Sequence, residues 1–111
     1  MKPTTSFDTF LSLDIRVGEI RSVEIFEEAR KPAYKLKIFF GDSIGYRNSS
    51  AQIRNYSPRE LLNRKIVAII NFPQKQIANF ISEVLVLGVL TEDGTQLLEV
   101  HERAKPGDAI A

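Results

Sequence analysis

The chain has 111 residues, 15 Lys/Arg against 14 Asp/Glu, one His, no Cys and no Trp. Without Cys there are no disulfides, thiolate nucleophiles or zinc–thiolate centres, and one His cannot make a His-pair metal site. What remains is one globular domain spanning residues 1–111: a hydrophobic fraction of 43% can build one core at a length that buries roughly two-thirds of the unfolded surface.

Met1-Lys2-Pro3-Thr4-Thr5 turns polar at once, and the longest nearly apolar run, Val84 to Leu90, is too short for a bilayer. The expectation is a cytoplasmic protein without membrane insertion. Thr5-Ser6-Phe7-Asp8 has the form of a capping box, and Phe7, Phe10, Leu11 and Leu13 follow at helical spacing, so a helix of about two turns is predicted, ending near Asp14. Its apolar residues are assigned to the core, with a dimer seam as the alternative, since so short a helix has little core of its own to cover.

A long strand follows from Ile15 to Phe26, with a phase slip around Gly18 and Glu19 that predicts a bulge there. Glu27 to Pro32 is a polar loop. Tyr34 to Phe40 is the second strand, with Tyr34, Leu36, Ile38 and Phe40 on one face and Lys35, Lys37 and Phe39 on the other. Gly41-Asp42-Ser43 turns the chain into a polar strand over roughly Gly45 to Ile53. Ser57-Pro58-Arg59-Glu60 is a capping box with Pro at the first helical position, predicting a helix over Pro58 to Asn63.

Lys65 to Asn71 and Val84 to Leu90 read as the fourth and fifth strands, both nearly continuous apolar runs expected to be buried on two sides, with a polar-aromatic loop from Phe72 to Ser82 between them. Glu92-Asp93-Gly94 is a hairpin turn into Gln96 to Val100. Short-looped strands with a small helix between the third and fourth describe a mainly β chain. The predicted fold is a five-stranded Greek-key barrel of the oligonucleotide/oligosaccharide-binding (OB) type, with a short N-terminal helix, rather than a sandwich.

Charge is unevenly spread. Residues 41–82 hold six Lys/Arg against Asp42 and Glu60, whereas residues 83–111 hold two basic and six acidic residues. Gly41, Gly45 and Gly88 are isolated, so no phosphate-cradling loop is present, and neither a cofactor nor a metal is expected. No Ser has a neighbouring His or Lys base in sequence, which leaves hydrogen bonding to ligand or backbone as the role of Ser49, Ser50 and Ser82.

Four segments carry more than pattern. Leu13-Asp14-Ile15-Arg16-Val17-Gly18, Ser49-Ser50-Ala51-Gln52-Ile53, Asn71-Phe72-Pro73-Gln74-Lys75-Gln76-Ile77-Ala78 and Ser82-Glu83-Val84-Leu85-Val86-Leu87-Gly88 together resemble the CsaA proteins. These are a bacterial and archaeal branch of the tRNA-binding-domain family, and the resemblance runs from Phe7 to Ile110. It implies an OB-fold homodimer that is not an enzyme. CsaA proteins are described as export-related chaperones that bind unfolded polypeptide, and their relatives use the same face for the outer corner of tRNA. The partners implied are therefore a second copy, unfolded polypeptide or tRNA, and the export machinery.

On such a face Arg30, Lys31, Lys35 and Lys75 would supply charge. Asn48, Ser49, Ser50, Asn71, Gln76 and Ser82 would supply neutral donors and acceptors, and Phe72 and Phe80 apolar surface. Asn71 could instead be a turn residue, and Ser82 with Glu83 could satisfy loop amides at the groove floor. The chain departs from the family pattern at Phe39, where an acid is usual, and at Ser50-Ala51-Gln52, where the wider modules read Ser-Gly-Leu.

Overall fold

Alternating apolar residues give each strand one inward face, and the computed structural model, which describes all 111 residues, brings those faces together. The elements in chain order are α1 (Phe7–Leu11), β1 (Ile15–Ile25), β2 (Tyr34–Phe39), α2 (Gly41–Ile44), β3 (Tyr46–Ala51), α3 (Pro58–Leu61), β4 (Lys65–Ile69), β5 (Lys75–Ile77), β6 (Phe80–Ser82), β7 (Leu85–Val86), β8 (Gly88–Thr91) and β9 (Gly94–Leu97). Five strands form one antiparallel sheet in the order β3-β2-β1-β4-β7, and β5-β6 and β8-β9 are separate hairpins.

The sheet coils around one cluster that includes Ile20, Tyr34, Leu36, Ile38, Phe40, Ile66 and Val84. Each such side chain stabilises the fold by about 1.5–3 kcal/mol through burial. α3 closes one end of the barrel: Leu61 is fully buried, and the Ser57 box is complete, with Glu60 N–H donating to Ser57 Oγ at 3.2 Å and Ser57 N–H to Glu60 Oε1 at 2.8 Å.

The gap between β3 and the β6–β7 segment is spanned by a clasp in place of a regular ladder. Asn48 N–H donates to Glu83 Oε1 at 3.0 Å, Ser50 N–H to Ser82 Oγ at 3.0 Å, and Ser49 Oγ to the Val84 carbonyl at 3.1 Å. Glu83 N–H returns a bond to the Asn48 carbonyl at 2.8 Å. The Asn48 and Ser50 amides would otherwise face a sheet edge without a partner. A five-stranded, nearly closed antiparallel barrel with a helix between β3 and β4 is an OB fold.

Several local expectations are corrected. The bulge lies at Arg21, where the β1–β2 register shifts between Ile20 and Ser22. Gly18 serves packing instead: a Cβ there would stand 2.6 Å from Ile38 Cγ2 and 2.7 Å from Phe40 Cε1. Ser6, not Thr5, is the N-cap of α1, and it makes no side-chain capping bond. The Gly41 turn continues to Ile44 as a single helical turn ended by Gly45 at φ 77°.

Phe72 to Ser82 contains the β5–β6 hairpin, turned at Ala78 with φ 54°. The last strand ends at Leu97, short of the predicted Val100. Val84 to Leu90 is neither continuous nor buried on two sides. β7 pairs with β4 for two residues, the chain then leaves the sheet into the β8–β9 hairpin, and Leu85, Val89 and Leu90 are exposed. Phe7 and Leu11 are not core: α1 buries no residue, and Phe7 is 71% exposed. The helix stands off the barrel beside the C-terminal segment, where Ile110 N–H bonds the Ile15 carbonyl and Gly107 N–H the Val17 carbonyl.

Candidate functional site

The departure of the chain from the sheet after β7 opens a groove of about 480 Å³ between the β3 edge, the β5–β6 hairpin and the β8–β9 hairpin. Nine of its lining residues are hydrophobic, among them Ile53, Ile77, Leu85, Leu87 and Leu90, and Lys75 is its single charged residue. Ser50 and Ser82 reach its wall already bonded to each other, backbone N–H to hydroxyl. A hollow of about 170 Å³ adjoins it, where Phe72, Pro73 and Leu85 meet Lys75, Ser82 and Glu83. Apolar beds with a polar rim suit side chains of an extended polypeptide.

The outer face of the sheet is a different surface. Register places Ser22 opposite Lys37, Glu24 opposite Lys35, and Lys37 opposite Asn48. With Phe80 they border a shallow cavity of about 270 Å³. Lys35 Nζ lies 5.0 Å from the Phe26 ring centroid and 5.7 Å from that of Phe80, with Glu28 at 4.0 Å. A cation held against two ring faces and one carboxylate is a fixed positive charge, and it ties the β5–β6 hairpin to β2.

Of the residues expected to bind ligand, Ser50, Lys75, Ser82 and Phe72 gather at the groove and its neighbouring hollow, and Lys35 and Asn48 at the sheet face. Arg30 and Lys31 are exposed on the β1–β2 loop and line neither. Gln76 donates to the Ala78 carbonyl at 3.1 Å, within its own hairpin.

One expected ligand contact, Ser49, is structural, and Asn71, although exposed, is held by backbone bonds. Ser49 is fully buried with its hydroxyl directed at the Val84 and Ser50 carbonyls, so it presents nothing to a ligand. Asn71 Oδ1 accepts from Asp14 N–H at 2.8 Å, and its amide donates to the Ser12 carbonyl at 2.9 Å. It clamps the segment that follows α1. Glu83 and Ser82 do satisfy the amides of β3.

Sequence reasoning missed Lys37 and the leucines of the groove. The signal for Lys37 was present, since it alternates with Lys35 on the polar face of its strand. The leucines lay in a run read as buried strand.

The model of the family described as "Putative tRNA binding domain" matches residues 15–109. A crystal structure of the CsaA chaperone protein from Picrophilus torridus superposes with a TM-score of 0.94 at 61% identity, covering 97% of this chain and 100% of that one. Chaperone CsaA from Bacillus anthracis superposes with a TM-score of 0.90 at 43% identity, covering 98% and 100%. The methionine–tRNA ligase of Neisseria meningitidis serogroup C is 34% identical over 108 residues, which is 95% of this chain and 16% of that protein. The chain thus spans about a sixth of the length of the ligases it resembles.

Proposed function

The chain belongs to the tRNA-binding-domain family, in its CsaA branch, and from that premise we propose that it is a chaperone that holds non-native polypeptide without ATP or any other cofactor. The observation that carries this reading is the groove of about 480 Å³ with nine hydrophobic lining residues and one ammonium. A folded ligand would not need such a bed. An unfolded chain does, because its apolar side chains have no other shelter from water. Leu85 at 47% exposed and Leu90 at 86% are apolar side chains left in water, which makes them the natural first contacts.

The reading includes a homodimer acting in the cytoplasm alongside the export machinery. Phe7, Phe10, Leu11, Ile110 and neighbouring residues form a second apolar hollow of about 240 Å³ where α1 meets the start of β1 and the C-terminal segment. A two-fold pairing there would cover the exposed α1 and present two grooves to one client. The test is aggregation of a chemically denatured client followed by light scattering. Wild type suppresses it in proportion to its concentration, and Leu85→Asp with Leu90→Asp suppresses it at least several-fold less with unchanged circular dichroism. Equal suppression by that variant overturns the reading.

A second reading, recognition of the outer corner of tRNA, is favoured by the sheet face, where Lys35 is fixed by two rings and Lys37 has no carboxylate partner. Its mark is affinity that falls steeply as salt rises, because phosphate contacts release counterions.

A further inference from the structure

At the far end of that sheet face, about 13 Å along β3 from Ser50 at the groove wall, lies an aromatic pair that neither reading uses. Phe39 and Tyr46 are cross-strand partners with ring centroids 5.0 Å apart and planes tilted by 45°. Arg21 lies 4.6 Å over the Phe39 ring, and Lys37 Nζ lies 5.2 Å from the Tyr46 centroid. Arg21 reaches this position from the bulge in β1 and is steadied by Glu19 at 2.6 Å. Cation, ring, ring and cation therefore run in a row across three strands.

Tyr46 stays 47% exposed at the edge of the sheet, so part of its ring is open to a ligand. From this juxtaposition we infer that Tyr46 and Phe39, held in orientation by Arg21 and Lys37, form a stacking platform for an unpaired base of single-stranded RNA. The base lies on Tyr46, and the adjoining phosphate meets Lys37. The inference rests on the tRNA reading of this face and deepens it by naming where a base is held.

Charge and shape both favour RNA as the occupant. Lys37 has no carboxylate partner. The cavity next along the face is bordered mostly by polar and charged residues, Ser22, Glu24, Lys35, Lys37 and Asn48, with Leu36 and Phe80. Aromatic faces interleaved with cations are what sequence-tolerant single-strand binding requires.

The test is fluorescence anisotropy of a labelled short adenine oligoribonucleotide with the full chain, with total tRNA titrated in parallel. Stacking of one base is worth about 1–3 kcal/mol, so Tyr46→Ala weakens oligonucleotide binding by about 5- to 150-fold, and Tyr46→Phe retains it. Lys37→Gln lowers the salt slope by about 0.7, as expected for one single-strand phosphate contact. The chain has no Trp and three Tyr, of which Tyr34 is buried, so a base on Tyr46 quenches tyrosine emission in wild type and far less in Tyr46→Phe.

If tRNA and oligonucleotide bind wild type and Tyr46→Ala alike, the platform is wrong while the tRNA reading survives. If neither RNA binds wild type, both fall. If an unfolded polypeptide displaces the oligonucleotide and loses its own affinity in Tyr46→Ala, the platform serves peptide and the assignment to RNA is overturned.

Discussion

Gly18 shows how a single atom constrains this fold. It pairs with Ile66 across β1–β4, and its α-carbon lies against Ile38 and Phe40 too closely for a side chain. Gly18→Ala is expected to destabilise the protein by about 1–3 kcal/mol, the usual range for overpacking a filled core, read as a lower urea midpoint with an unchanged slope. The clasp residues act by a different mechanism. Ser82→Ala leaves the half-buried Ser50 amide without its acceptor, which costs about 1–3 kcal/mol, and the same assay reads it.

These roles were only partly legible in the sequence. Ser82 and Glu83 could be foreseen as partners for loop amides, because a short polar pair before an apolar strand has few other uses. Ser49 was misplaced because whether a polar side chain faces a ligand or the core is set by tertiary position. Asn71 meets Asp14, 57 residues away in sequence, and no local pattern encodes that meeting.

The elements divide the same way. α3 was readable because its capping box is local chemistry, complete within four residues. The box also titrates. Glu60 is held below the usual carboxylate range, chiefly by accepting from the Ser57 backbone N–H and then from its hydroxyl. A carboxyl lowered in the folded state contributes stability above its unfolded pKa and loses it as pH falls through the folded one. The difference in urea midpoint between wild type and Glu60→Ala should therefore be largest at neutral pH and close as the solution is acidified through the carboxylate range. A difference that stays constant with pH would contradict this.

β1 and β2 were legible because period-two alternation survives wherever one face is wet. The β7–β8 break was not: an apolar run looks the same whether it is buried on two sides or lines an open groove. The β5–β6 hairpin was hidden because its turn uses Ala78 at positive φ, where Gly or Asn would have announced it. Asn71→Ala should loosen α1 from the barrel, seen as faster amide exchange over residues 7–14 with β1 and β2 unchanged.

At the scale of the whole molecule, two apolar hollows stand out, the groove beside β7–β8 and the seam of α1 with the C-terminal segment. The account assigns the first to client polypeptide and the second to a second copy. Light scattering at micromolar concentration should give about twice the 12.6 kDa chain mass, and Phe7→Ser with Leu11→Ser should return it to the monomer without unfolding the barrel, since neither residue belongs to the core. A monomeric wild type would leave α1 without the role assigned to it.

The groove is the central claim, and salt separates it most directly from a phosphate-binding surface. The measurement is equilibrium binding of a permanently unfolded, fluorescently labelled polypeptide between about 50 and about 500 mM salt. The account predicts a Kd that changes little across that range in wild type and is weakened at least tenfold at every salt concentration in Leu85→Asp with Leu90→Asp. An affinity that collapses as salt rises, or a variant that binds as tightly as wild type, would contradict it.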